Sequence, residues 1–223
     1  MTAQDQGKGP GRAPALAAAP SVRGAERYDR EYFDRFYRGR GALRSNMELA
    51  RQVALVLSIT DWVIGRPVRH VLDVGCGEGA WRAPLLKARP GLHYTGVDPS
   101  DYAVRRFGRR RNILPGALGA LTGLPLAPCY DLLIANDVLH YLNARELQRA
   151  LPELRALTEG VAWLHLRTSE EDIIGDVSHL QRLSAARYRT LIQRADFLPI
   201  GLQCYVPSTR AVDLAAMDLT WYR

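Results

Sequence analysis

Three short stretches of this chain carry residue types at spacings that could do chemistry. In the first, Asp73-Val74-Gly75-Cys76-Gly77-Glu78-Gly79-Ala80, an acid precedes three glycines at alternate positions. Glycines let the backbone turn sharply and come close to a ligand. Where a helix follows, its first N–H groups favour a negative or electron-rich partner. The second stretch is Asp98-Pro99-Ser100. Its carboxylate stands about 20 residues beyond the glycines, the spacing at which an acid accepts hydrogen bonds from ribose hydroxyls. The third, Asn136-Asp137-Val138-Leu139-His140-Tyr141, offers a polar pair, an imidazole suited to proton transfer near neutral pH and a phenol. A further imidazole, His179, lies among Glu170, Glu171, Asp172 and Asp176 in the unpatterned 169–182 segment, whereas His165 sits inside an apolar run and reads as structural.

The surrounding pattern says how these stretches are held. Val68 to Val74 is a short apolar run, and after Ala80 the residues Trp81, Pro84, Leu85 and Ala88 recur at helical spacing, so the glycines join a strand to a helix. A second strand over about His93 to Val97 ends at Asp98, and a helix over about Asp101 to Arg110 follows. A short third strand is expected near Asn112 to Leu114, or later around Ala117 to Leu121. Asp131 opens a near-continuous apolar strand, as a central parallel strand requires, which ends at Asn136-Asp137. A helix over about Ala144 to Leu157, a strand over Val161 to Leu166 and a helix capped by Ser184 come next. Pro199 to Val206 and about Val212 to Trp221 read as a closing strand pair. Strands alternating with helices make a doubly wound parallel sheet, whose ligand crevice opens beside the ends of the first and fourth strands.

The glycine loop alone leaves two readings open. Gly75-x-Gly77-x-x-Ala80 fits the dinucleotide fingerprint, and Asp98 serves an adenosine ribose in either case. The stretch from Asp73 to Gly79, however, resembles the first motif of the class I S-adenosylmethionine-dependent methyltransferases. Tyr130-Asp131-Leu132-Leu133-Ile134-Ala135-Asn136-Asp137-Val138-Leu139-His140-Tyr141-Leu142 resembles the fourth-strand motif of their small-molecule members. The resemblance implies a three-layer, mostly parallel seven-stranded sheet with an antiparallel C-terminal strand, preceded by N-terminal helices. It implies S-adenosylmethionine as methyl donor, held by Asp73, Gly75, Cys76, Gly77, Glu78, Gly79, Asp98, Pro99, Asn136 and Asp137. His140 and Tyr141 then face the acceptor, and His140 is the candidate base. Many members carry an acid after the third strand for the adenine amino group. Pro115 to Leu121 contains none, so backbone groups near Gly119 to Leu121 are expected to serve.

Three other readings compete: a nicotinamide-dependent oxidoreductase, an RNA methyltransferase, and a binding module that kept the fold without catalysis. DNA amino-methylating enzymes carry Asn/Asp-Pro-Pro-Tyr/Phe where this chain has Asn136-Asp137-Val138-Leu139. The net charge of +7 comes from 30 basic residues, of which only Lys8 and Lys87 are lysine. Arginine and alanine are enriched throughout, which fits codon bias better than a nucleic-acid footprint. Arg105, Arg106, Arg109, Arg110 and Arg111 cluster on one predicted helix and its exit and read as a solvated face. Cys76, Cys129 and Cys204 are far apart, which argues against a metal site or a disulfide framework and fits the cytoplasm. No apolar run is long enough to span a bilayer. The acceptor is therefore expected to be a small molecule, and the protein a monomer or homodimer.

The 223 residues divide into a Gly/Ala/Pro-rich tail read as disordered over 1–24, N-terminal helices over 25–66 and the catalytic domain over 67–223. The aromatic stripe Tyr28, Tyr32, Phe33, Phe36 and Tyr37 predicts a helix that either packs on the domain or lids the cofactor. The next helix, about Ser45 to Ile64, is expected to bury Met47, Ala50, Val53, Ala54, Leu57 and Trp62.

Overall fold

The computed structural model describes residues 28–38, 45–172, 180–181 and 183–211. The tail over 1–24, His179 and the strand expected over 212–221 lie outside them. The described elements are α1 (Arg30–Tyr37), α2 (Asn46–Ile64), β1 (His70–Val74), α3 (Arg82–Ala88), β2 (His93–Asp98), α4 (Asp101–Arg111), β3 (Ile113–Pro115), β4 (Tyr130–Asn136), α5 (Ala144–Leu157), β5 (Thr158–His165), α6 (Ala185–Arg194), β6 (Phe197–Gly201) and β7 (Cys204–Pro207). The seven strands form one sheet in the order β3-β2-β1-β4-β5-β7-β6. β1 to β5 pair in parallel, and β7 runs antiparallel to both of its neighbours. This is the expected α/β architecture. The direction in which strands are added to the sheet reverses between the adjacent parallel strands β1 and β4, so their carboxyl ends open the crevice.

Period-two alternation sorts the central strands between two apolar layers. Leu72, Val74, Leu133, Ala135, Ala162 and Leu164 point to the side covered by α5 and α6. Val71, Leu132, Ile134, Val161 and Trp163 point to the side covered by α2 and α3. The helix starts follow their capping residues: Ser45, Ser100, Asn143 and Ser184 each accept a first-turn N–H, and Glu146 closes a capping box with Asn143.

Two sequence expectations need correction. α2 buries Leu49, Val53, Val56, Leu57 and Val63, while Met47 and Trp62 are exposed at 64% and 71%. The expected stripe lay rotated around the helix, because α2 packs under β4 and β5 and must present residues at the 49/53/56/57/60/63 spacing to them. α2 thus belongs to the layer that covers the sheet. At the C-terminal edge, the stretch read as a single strand over Pro199 to Val206 is a hairpin of β6 and β7. Leu202 (φ 51°) and Gln203 (φ 60°) form its turn in the left-handed region. That turn normally selects Asn and Gly, so Leu-Gln gave no signal.

At the end of the sheet opposite the crevice, the buried Asp131 carboxylate joins β4 to β1. It accepts hydrogen bonds from the Arg69 and His70 backbone N–H groups at 2.7 and 3.0 Å and from the Arg66 guanidinium at 2.6 Å. Burial pushes the carboxyl upward, but Arg66 and the two N–H donors outweigh it and hold it below its ordinary value. Gly160 is needed beside it, because a side chain there would collide with the Asp131 carbonyl oxygen. Asp131→Ala should cost about 3–5 kcal/mol at pH 7, since it strands a cation and two donors. A depressed carboxylate stabilises only while ionised, so the gap between variant and wild type should close as pH falls below about 4. Denaturant unfolding across pH checks both; a gap that is small at pH 7, or unchanged at pH 3, would contradict this assignment.

Candidate active site

The glycine loop turns because Gly75, Gly77 and Gly79 all adopt positive φ, at 70°, 54° and 76°. The expectation that these glycines make room for a ligand alone is incomplete. A side chain at Gly75 would run into Val138, and a Cβ at Gly77 would lie 2.8 Å from Cε1 of Phe33. The missing side chains let the loop after β4 and the α1 helix seat directly on the glycine loop. The helix that follows starts at Arg82, about a turn beyond the glycines.

Asp98, at the tip of β2, is 6% exposed. It accepts the Gly77 N–H at 2.6 Å through one oxygen and the Ser100 N–H at 2.8 Å through the other. Burial raises its pKa from the usual carboxylate range to about 6, against the opposing pull of those two donors. Each oxygen keeps a second lone pair for a ligand hydroxyl. Asp73, 1% exposed at the end of β1, accepts the Tyr94 hydroxyl at 2.7 Å. Cys76 is buried against Phe107 and Ile113, and burial pushes its thiol well up, so it packs rather than reacts.

At the end of β4, the Asn136 side-chain oxygen accepts Trp163 Nε1–H at 3.0 Å, and its amide donates to Asp137 Oδ2 at 2.8 Å. Asp137 continues the ladder through its N–H to the His165 carbonyl at 2.9 Å. It then turns at φ 57°, a region Asp tolerates better than most residues. His165 Nδ1 lies 2.7 Å from Asp137 Oδ1, and the His165 ring stacks on Trp163 at 12°. His165 is therefore a structural partner of a site residue.

These elements enclose one cavity of about 440 Å³, within the range that holds a cofactor-sized ligand. Asp73, Gly75, Cys76, Gly77, Glu78, Asp98, Pro99, Asn136, Asp137 and Tyr141 all line it. Gly79 shapes the turn without lining the cavity. Ala117 and Leu118 lie beyond β3, slightly earlier than the expected Gly119 to Leu121. The Leu121 N–H is taken by Glu153 at 3.0 Å.

His140 is placed elsewhere. It is 4% exposed and is not part of the cavity lining. The 3-10 turn Leu139–Tyr141 directs it inward, where its Nδ1 accepts the Arg167 N–H at 3.2 Å. Burial lowers its pKa to about 4, with nearby Asp137 pulling the other way. At neutral pH it is an uncharged packing residue, and Tyr141 is the member of that pair that faces the cavity.

Other lining residues lie outside the three motifs. Tyr32 and Tyr37 of α1 form part of the roof, with Phe33 buried beneath. Arg38 fastens this helix by an ion pair to Glu78 and a hydrogen bond to the Tyr102 hydroxyl at 3.2 Å. Arg111 leaves the solvated arginine face, stacks over Phe107 at 4.0 Å and donates to the Glu78 carbonyl, whereas Arg105, Arg106, Arg109 and Arg110 stay exposed as expected.

Residues 72–160 match the family model described as a methyltransferase domain. Over these residues the chain is similar to methyltransferase domains. A stretch of peramine synthetase ppzA from Metarhizium majus (strain ARSEF 297) is 34% identical over 99 residues, covering 37% of this chain and 3% of that protein. The chain thus spans a small part of this curated relative. The fold is shared with the solved structure of magnesium protoporphyrin IX methyltransferase from Synechocystis PCC 6803 with bound donor (TM-score 0.52, 20% identity, 83% of this chain and 89% of that one). It is also shared with the 4+2 cyclase SpnF (TM-score 0.53, 19% identity, 74% of this chain and 63% of that one).

The raised Asp98 carboxyl predicts a pH signature for ligand binding. Ribose hydroxyls donate best to the ionised form, so affinity for S-adenosylhomocysteine should rise with pH through about 6 and level off above it. In Asp98→Asn the step should vanish and the plateau affinity fall by roughly 10–100-fold, the loss of about 1.5–3 kcal/mol for hydrogen bonds to a charged group. Calorimetry between pH 5 and 8 reads both. A flat wild-type profile, or a variant with wild-type affinity, would remove Asp98 from the ribose site.

Proposed function

We propose that the protein transfers a methyl group from S-adenosylmethionine to a small-molecule acceptor. The observation that carries this reading is the cavity at the ends of β1, β2 and β4, which gathers the glycine loop, Asp73, Asp98 and the Asn136-Asp137 pair. Its chemistry suits this donor. Among the described residues, five carboxylates line it (Asp73, Glu78, Asp98, Asp137 and Glu146) against one lining cation, Arg111, already engaged with Phe107 and the Glu78 carbonyl; Glu78 is itself paired with Arg38. A donor that carries a sulfonium and an ammonium is favoured there by Coulomb attraction. The pyrophosphate of a nicotinamide dinucleotide or the backbone of an RNA would meet mostly like charge, which disfavours the oxidoreductase and nucleic-acid readings.

The bound donor supplies an electrophilic methyl group. The chain's part is positioning: Asp98 fixes the ribose, Asp73 and the Asn136-Asp137 end orient the amino-acid portion, and the glycine loop gives it close backbone approach. Holding acceptor and methyl in line, with bulk water excluded, supplies most of the acceleration such a reaction needs. Within the N-terminal helices over 25–66, α1 takes the lid role, supported by Phe33 on Gly77 and by Arg38 on Glu78. His140 is not assigned as base. Where an acceptor must lose a proton, Asp137, hydrogen-bonded to His165, is the residue we assign to receive it. Among the described residues no helix is long and apolar enough to cross a membrane, and the three cysteines are free. Both support the cytoplasm as the site of action, with the protein working as a monomer or homodimer.

S-adenosylhomocysteine at 100 times its dissociation constant should raise the melting temperature by roughly 5–10 °C, and NAD(P) should not. Incubation with S-adenosylmethionine and a panel of small acceptors should release S-adenosylhomocysteine. Stabilisation by NAD(P) alone, or donor binding without turnover on any acceptor class, would contradict methyl transfer.

A further inference from the structure

The reading above leaves the acceptor's chemistry open, and the roof of the cavity bears on it. Tyr32 and Tyr37 of α1, Tyr141 of the turn after β4 and Glu146 of α5 all line the cavity. The Tyr32 hydroxyl lies near those of Tyr37 and Tyr141, and burial together with these two neighbours raises its pKa. The Tyr32 ring also packs edge-on against Tyr28 at 5.0 Å and tilted against Tyr37 at 6.0 Å. The cluster offers a guest ring faces and phenol oxygens. Both attract positive charge.

The charged groups point the same way. Glu146 accepts only the capping N–H of Asn143, at 2.8 Å, and no cation pairs with it among the described residues. Arg111 is held across the cavity by Phe107 and the Glu78 carbonyl. A carboxylate or phosphate acceptor would enter among carboxylates with no uncommitted cation among the described lining residues to receive it. An organic ammonium would find aromatic faces and an unpaired carboxylate together.

We propose that the acceptor is an organic amine that binds as its ammonium, recognised by Tyr32, Tyr37, Tyr141 and Glu146; before transfer its nitrogen gives a proton to Asp137, the base assigned above, and the freed lone pair takes the methyl as S-adenosylhomocysteine leaves. The inference rests on the donor assignment above, because these residues become an acceptor site only if the donor fills the rest of the cavity.

The test is calorimetry on the full chain saturated with S-adenosylhomocysteine, using benzyltrimethylammonium and benzoate as probes of similar size and opposite charge. The ammonium should bind at least about tenfold more tightly than benzoate. Glu146→Gln keeps the helix cap, because glutamine also closes a capping box, and should weaken the ammonium at least about fivefold. Tyr32→Leu should do the same, while Tyr32→Phe, which keeps the ring face, should retain most of the affinity. Each variant should still be saturated by S-adenosylhomocysteine, so that the ammonium is read with the donor site filled. Benzoate binding as tightly as the ammonium, no ammonium binding at all, or ammonium affinity untouched by both Glu146→Gln and Tyr32→Leu would overturn the proposal while leaving the donor site standing. So would a Tyr32→Leu variant that loses S-adenosylmethionine but keeps the ammonium, since the rings would then serve the donor's sulfonium. Failure of S-adenosylhomocysteine to bind the wild type would instead defeat the donor reading and the proposal with it.

Discussion

The Asp98 carboxylate is the joint on which the site turns. One oxygen takes the Gly77 N–H and the other the Ser100 N–H, so a single buried group fixes the glycine loop, the tip of β2 and the start of α4 relative to each other. Such a group is costly to bury unless its bonds are made. Its pKa of about 6 shows that the two donors recover only part of that cost. A polar ligand that adds hydrogen bonds to the charged form would offset more of it. The residue that orders the loop is thereby left poised to gain from binding.

A second constraint is steric. The hydrogens of Gly75 and Gly77 face Val138 and Phe33, so the glycine loop, α1 and the turn after β4 pack against one another beside the cavity. The charge of that cavity runs against the charge of the molecule. The chain carries +7, yet among the described residues the cavity is lined by five carboxylates and one arginine, which is engaged. Net charge described the solvated surface, including the exposed arginines of α4, and said nothing of the site. A cationic donor and a cationic acceptor can share such a cavity because the carboxylates are spread along it from Asp73 to Glu146.

Much of this was legible in the sequence. The strand-glycine-helix pattern, Asp98 and the Asn136-Asp137 end were readable because each is a local pattern whose place in a doubly wound sheet follows from topology. What the sequence could not show depended on rotation and on distant partners. His140 follows a recognisable motif, but a 3-10 turn decides which of two neighbours faces the cavity, and it turned Tyr141 inward to the site and His140 into the core. Arg111 looked like its four neighbours until the end of α4 bent it over Phe107. Tyr94 gave no hint of its bond to Asp73, since only strand register brings β2 beside β1. The α1 tyrosines were visible as a stripe, but their partner Tyr141 lies more than a hundred residues away along the chain.

The account stands or falls on where the donor sits. A crystal structure of the S-adenosylhomocysteine complex tests this most directly. It should place both ribose hydroxyls within hydrogen-bond distance of the Asp98 carboxylate, the adenine beside Ala117 and Leu118, and the sulfur facing the space bounded by Tyr32 and Tyr141. A ligand bound with its ribose away from Asp98, or with its sulfur turned from those tyrosines, would contradict the assignment of this cavity as a methyl-transfer site.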